Sequence, residues 1–163
     1  MTTEMGELAV GAYLKLCLGC AFVDYNVRPP GGGLEGLGEL DVVGLDPDSG
    51  RAFLCEVTTH IRGLLYVSNA ETVERIRKKH TRQRDYASKH LKAFPVITFM
   101  FWSPVVPVGF ITAALSKIEG LQLVINQEYT RRVAELRQLA RTAAHDAGND
   151  FFRALQILEH LRD

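Results

Sequence analysis

Two carboxylates stand where carboxylates are costly. Asp41 and Glu56 each lie inside a short run of apolar or β-branched residues, 40–45 and 52–59. The turn-forming stretch Asp46-Pro47-Asp48-Ser49-Gly50 joins the two runs, so they read as a β-hairpin. Side chains alternate along a strand, which puts Leu54, Glu56 and Thr58 on one face and Phe53, Cys55 and Val57 on the other. A buried acid must be paired, hydrogen-bonded or bound to a metal. A tight hairpin can bring two such acids to one point. There they repel and raise each other's pKa unless a divalent cation lies between them. The chemistry this spacing points to is binding of a hard divalent metal. An ordinary hairpin whose acids bond to Arg or to backbone is the alternative.

The pattern resembles the PD-(D/E)xK nuclease superfamily, which has the restriction-endonuclease-like fold. Asp41 matches its first acid and Glu56 its second, Leu40 replaces the Pro, and Thr58 stands where the Lys belongs. The resemblance runs over residues 4–103 in the order helix, hairpin, helix, strand. It implies an α/β fold with a mixed sheet flanked by helices. It also implies hydrolysis of phosphodiester bonds in DNA with Mg²⁺ or Mn²⁺ held by Asp41, Glu56 and the Val57 carbonyl. In that family the Lys orients the attacking water and balances charge, and relocation of the Lys to the following helix is known. Lys79 is the replacement expected here, with His60 as a weaker one. Gln83 and Tyr86 resemble the Gln and Tyr of RecB-like members, at a spacing one residue short.

The flanking elements must position these groups. Residues 4–18 read as a first helix with Val10, Leu14, Cys17 and Leu18 on one face and Glu7 within the same stripe. The resemblance makes Glu7 a further site acid, as a third ligand or as a holder of water. Its other reading is an acid meeting the helix dipole. Gly11 lies at the stripe's margin, where another element can approach closely. Residues 29–38 form a connection with five glycines directly before Asp41, either a mobile loop over the site or a plain linker. Ser68 and Glu71 have capping-box spacing and open a helix running to about residue 92. Its apolar stripe holds Val73, Ile76, Ala87 and Leu91. His80 and Gln83 share that stripe, Lys79 lies on its flank, and Lys78 faces away.

Charge is unevenly spread along a chain of zero net charge. Residues 1–60 hold nine acids and three Lys or Arg, whereas residues 61–92 hold nine Lys or Arg and three acids. That asymmetry suits a polyanion, with Arg75, Lys78, Lys79 and Arg82 as the residues expected to meet nucleic-acid phosphates. Two rival readings remain: a nucleic-acid-binding module that does not cleave, and a protein-interaction subunit.

At 163 residues, 47% hydrophobic and 23% charged, the composition is that of a globular domain. No apolar run reaches the roughly 18 residues a membrane span needs. The amino terminus lacks a signal-peptide pattern, and Cys17 and Cys20 stand without a second pair, so reduced thiols and a cytoplasmic location are expected. Residues 21–27 read as a strand weighted by Phe22, Val23, Tyr25 and Val27. Residues 96–102 read as a central strand, 109–118 as a short helix, 121–125 as a strand and 128–145 as a helix. A last helix, capped by Asn149, shows Phe151, Leu155 and Leu158 in step. This divides the chain into a core, 1–127, and a C-terminal helical hairpin, 128–163, which packs on the core or forms a homodimer interface.

Overall fold

The hairpin forms as the sequence requires. In the computed structural model, which describes residues 2–30 and 38–161, Leu40–Asp46 (β2) and Arg51–Val57 (β3) pair antiparallel, with Leu45 opposite Ala52 and Val42 opposite Cys55. Asp46 ends β2 and closes the turn. Its carboxylate accepts from the Ser49 amide and hydroxyl and from Arg51 Nη2 at 2.9 Å, and these bonds hold its pKa below the usual value.

Before the hairpin come Met5–Leu16 (α1) and Phe22–Val27 (β1). After it come Asn69–His90 (α2), Val96–Ser103 (β4), Phe110–Leu115 (α3), Leu121–Ile125 (β5), Gln127–Ala140 (α4) and Asp150–His160 (α5). The strands lie in sequence order in one five-stranded sheet. The pairs β1–β2 and β2–β3 are antiparallel, and β3–β4 and β4–β5 are parallel. The fold is therefore α/β, with a mixed sheet flanked by helices. Among the described residues no helix is long and apolar enough to cross a membrane.

Alternation along the strands divides the core into layers. Phe53, Cys55, Met100 and Trp102 pack with Val10 and Leu14 of α1, Leu136 of α4 and Phe152 of α5. On the opposite face Phe101 packs with Val73 and Ile76 of α2 and Ile111 and Leu115 of α3, while Leu54 packs with Ala87 and Leu91. Burying a side chain such as Phe101 or Trp102 contributes about 2–3 kcal/mol. The interior position of β4 matches the central strand expected from a run that is apolar apart from Thr98. Gly11 does permit a close approach: the Tyr25 hydroxyl occupies the place a Cβ would need.

Several boundaries differ from the sequence reading. Phe22 is exposed, because β1 is an edge strand and only Val23 and Tyr25 turn toward α1. Ser68 caps α2 by accepting from the Glu71 amide at 3.1 Å, but the Glu71 carboxylate pairs with Arg75 instead of closing the box. Helix α4 stops at Ala140, not 145, because the chain must turn back to seat α5. The Gln156 side-chain amide then donates to the Ala143 and His145 carbonyls of the turn. On α5 the buried face is Phe152, Leu155, Gln156 and Glu159, whereas Leu158 points outward. Of the glycine-rich connection 29–38, residues 31–37 lie outside the described residues.

Asn149 ties the C-terminal helices to the rest. Its side chain accepts from the Phe152 amide at 2.9 Å, donates to the Leu8 carbonyl of α1 at 2.9 Å and lies 3.4 Å from the Tyr25 hydroxyl. Asn149→Ala removes the cap and leaves buried partners unpaired. It is expected to cost about 1–3 kcal/mol in urea unfolding, and a change under about 0.5 kcal/mol would show the cap to be dispensable.

Candidate active site

Antiparallel pairing sets the beginning of β2 beside the end of β3, so Asp41 and Glu56 meet at one edge of the hairpin. Between them comes Lys79 from α2. Its ammonium lies 2.7 Å from Glu56 Oε2 and 3.6 Å from Asp41 Oδ2. Asp41 Oδ2 also accepts from the Val57 amide at 2.8 Å. Glu56 is 2% exposed, and its second oxygen, Oε1, is buried without a hydrogen-bond partner, as is the Thr58 hydroxyl.

Lys79 reaches this point because α2 is held at one rotation. Val73, Ile76 and Ala87 seat it on the sheet by apolar contact. Gln83, fully buried, donates to the Leu54 carbonyl at 3.0 Å and the Met100 carbonyl at 3.1 Å, so it grips β3 and β4 together. His80 lies between Gln83 Oε1 at 3.2 Å and the Glu119 carbonyl at 3.1 Å. With those residues inward, Lys79 falls at the margin facing Glu56, and Lys78 is exposed. Tyr86 stacks near His90, 4.8 Å between ring centres, away from the cleft.

The electrostatics follow from burial. Removal from water pushes the Glu56 carboxyl up to about 8. The Lys79 charge opposes that rise and the Asp41 charge adds to it. For Lys79, burial favours the neutral amine, but attraction to Glu56 and Asp41 outweighs it and the pKa rises. Both effects keep protons in the site.

An open cleft of about 370 Å³ gives solvent access, lined by Glu4, Glu7, Asp41, Val57, Thr58, Thr59, His60, Tyr66 and Lys79. Gly6 sits so close to Thr59 that a Cβ would clash with its methyl group, and this contact brings the first turn of α1, with Glu7, to the cleft. The Glu7 carboxylate accepts from the Glu4 amide at 2.9 Å, capping its own helix. Burial raises its pKa, the Glu4 bond opposes that, and Asp41 adds to it. Among the described residues, no group of three or more His, Cys, Asp or Glu side chains is placed to hold a metal ion. The donors at hand are two carboxylates, one with an unpartnered oxygen. Asp41 lines the cleft, and Glu56 lies buried behind it.

A second cavity of about 230 Å³ adjoins the first and shares Thr58, Tyr66 and Lys79 with it. Arg75, Ile76, Lys78 and Arg82 complete its wall. The four basic residues singled out from the sequence therefore line one cavity. Tyr66 carried no sequence signal. It lies outside any periodic segment, and its place is fixed by bonds to Thr72 in the first turn of α2 and by the Arg75 guanidinium 4.6 Å over its ring.

Because Glu56 binds its proton more tightly in the folded chain than its ordinary value of 4.5 allows, metal-free stability is expected to fall as pH rises from 4.5 to about 8. Urea midpoints across that window should show this decline in the wild type and a flatter curve in Glu56→Gln. Parallel curves would remove the assignment. No family model matches the chain, and neither does any curated protein or solved structure.

Proposed function

We propose that this chain is a metal-dependent nuclease of restriction-endonuclease type that hydrolyses phosphodiester bonds in DNA. The observation that carries the reading is the Lys79 ammonium set 2.7 Å from Glu56 and 3.6 Å from Asp41. It supplies from a helix the charge that Thr58, just past the end of β3, lacks. The order of elements supports it: α1, an antiparallel β1–β2–β3 meander, α2, then β4 parallel to β3.

In this reading Asp41, Glu56 and the Val57 carbonyl hold Mg²⁺ or Mn²⁺. When bound, the ion would supply Lewis acidity toward water and positive charge toward the phosphate. The Lys79 ammonium, set between the two carboxylates, would balance charge on the phosphate in the transition state. The Thr58 hydroxyl accepts or donates a bond to the attacking water, and Glu7 holds a water at the cleft's α1 side. Arg75, Lys78 and Arg82 draw the phosphate backbone along the adjoining cavity. A second reading, a binding module that does not cleave, draws on the same basic residues together with the absent strand lysine. A homodimer through α5 is a further proposal, motivated by exposed Ile157, Leu158 and Leu161.

Calorimetry should show Mn²⁺ binding to the wild type and none to Asp41→Ala. Equal heats would end the metal assignment. Cleavage of mixed DNA substrates should need Mg²⁺ or Mn²⁺. Lys79→Ala should lower turnover about 100-fold or more with metal affinity intact, while Lys78→Ala changes only DNA affinity. DNA binding with no cleavage under any metal selects the binding module. Neutralising Arg75, Lys78 and Arg82 together should reduce the log–log salt slope of DNA binding by about 3, and an unchanged slope would place the phosphates elsewhere.

A further inference from the structure

Between the hairpin and α2, the chain makes a one-residue reversal. Tyr66 and Ser68 form an antiparallel bridge, and Val67 stands at the tip, 91% exposed, with φ of 29°. A β-branched residue resists that left-handed backbone, and strain of this kind persists only where its surroundings enforce it. Here Thr72 enforces it. Its buried hydroxyl accepts from the Tyr66 amide at 2.8 Å and donates to the Ser68 carbonyl at 2.8 Å, and its own amide bonds the same carbonyl at 3.0 Å. The fold thus accepts backbone strain to hold an apolar side chain out in water. Exposed Leu65 and Ile61 lie on the same connection. Tyr66, next to the tip, lines both the acidic cleft and the basic cavity.

We propose that Val67 is a wedge that enters the base stack of the bound nucleic acid. The substrates cut best would then carry unpaired or weakly stacked bases at the cleft. The inference rests on the nucleic-acid reading above. Two observations select a base step as the occupant. The apolar tip adjoins, through its neighbour Tyr66, the cavity lined by Arg75, Lys78 and Arg82, so the tip stands beside the charges that would hold a strand. The tip itself presents a single apolar side chain, Val67, and one apolar side chain suffices to part a base step.

The test uses the full chain in metal-free buffer, with a duplex carrying 2-aminopurine at its centre and a single-stranded oligonucleotide of the same sequence. Val67→Asn is the variant, because Asn accepts the left-handed backbone and its unfolding midpoint should equal or exceed the wild type's. Wild type should raise the duplex fluorescence. Val67→Asn should cut that rise about threefold or more while changing single-strand affinity less than about twofold. An equal rise with both proteins, or duplex binding by wild type without any rise, overturns the wedge and leaves the nuclease reading standing. A rise with no cleavage in Mn²⁺ supports the wedge and removes the nuclease. No binding to any nucleic acid overturns both. Wild-type self-association that Val67→Asn abolishes in sedimentation assigns the tip to a second copy of this chain and overturns the wedge.

Discussion

A carboxylate that is 2% exposed governs the arrangement around it. Glu56 lies in the middle sheet layer, where an isolated charge would cost several kcal/mol. It is tolerated because α2 brings Lys79 to 2.7 Å. Such a pair does not by itself stabilise a fold, since well-packed apolar residues in its place are often as good or better. The stability here comes from the apolar layers on either side, Phe101 with Ile76 and Ile111, and Trp102 with Leu14 and Phe152. A cluster that contributes little to stability and leaves Glu56 Oε1 unpartnered is of the kind that function retains.

Topology explains why the groups meet. The antiparallel hairpin sets residue 41 near residue 56. The parallel step from β3 to β4 then requires a crossover, and α2 is that crossover, laid over the face that carries Leu54 and Glu56. The connection before α2 is short and folded back on itself by Thr72, so the cleft's outer wall, Tyr66, is fixed by the first turn of the same helix whose third turn supplies Lys79.

Much of this was legible in the sequence because period and sign are local properties. The two acids in apolar runs, the outward Lys78 against the marginal Lys79, the interior strand read at 96–102 and the cap at Asn149 all follow from local residue type and spacing. What stayed hidden depends on distant partners. Phe22 is as apolar as Val23, and only the sheet order makes β1 an edge. Gln156 looks like a surface residue until the chain turns at 141 and leaves carbonyls for it to cap. Glu7 lies in the buried stripe as its spacing predicts, yet whether it faces the cleft or caps its own helix is decided by the Glu4 amide, and it does both.

Placing the lysine on a helix rather than on the strand changes what controls the site. A strand lysine two residues after Glu56 would move with the carboxylates as one rigid ladder. Lys79 instead takes its position from the seat of α2, which rests on Ile76 below it and on Gln83 one turn beyond, bonded to the backbones of both β3 and β4. Gln83 has no Coulombic part in the cleft, but a rotation of α2 by one residue, about 100°, would carry Lys79 out of reach and bring Lys78 or His80 toward Glu56. Its two carbonyl bonds, each worth about 1 kcal/mol, resist that rotation more specifically than apolar contact can, because an apolar stripe tolerates sliding and a bidentate amide does not. The distance between ammonium and carboxylate is therefore set by core hydrogen bonding on the α2 face, and the charge balance of the cleft is coupled to how that helix is packed.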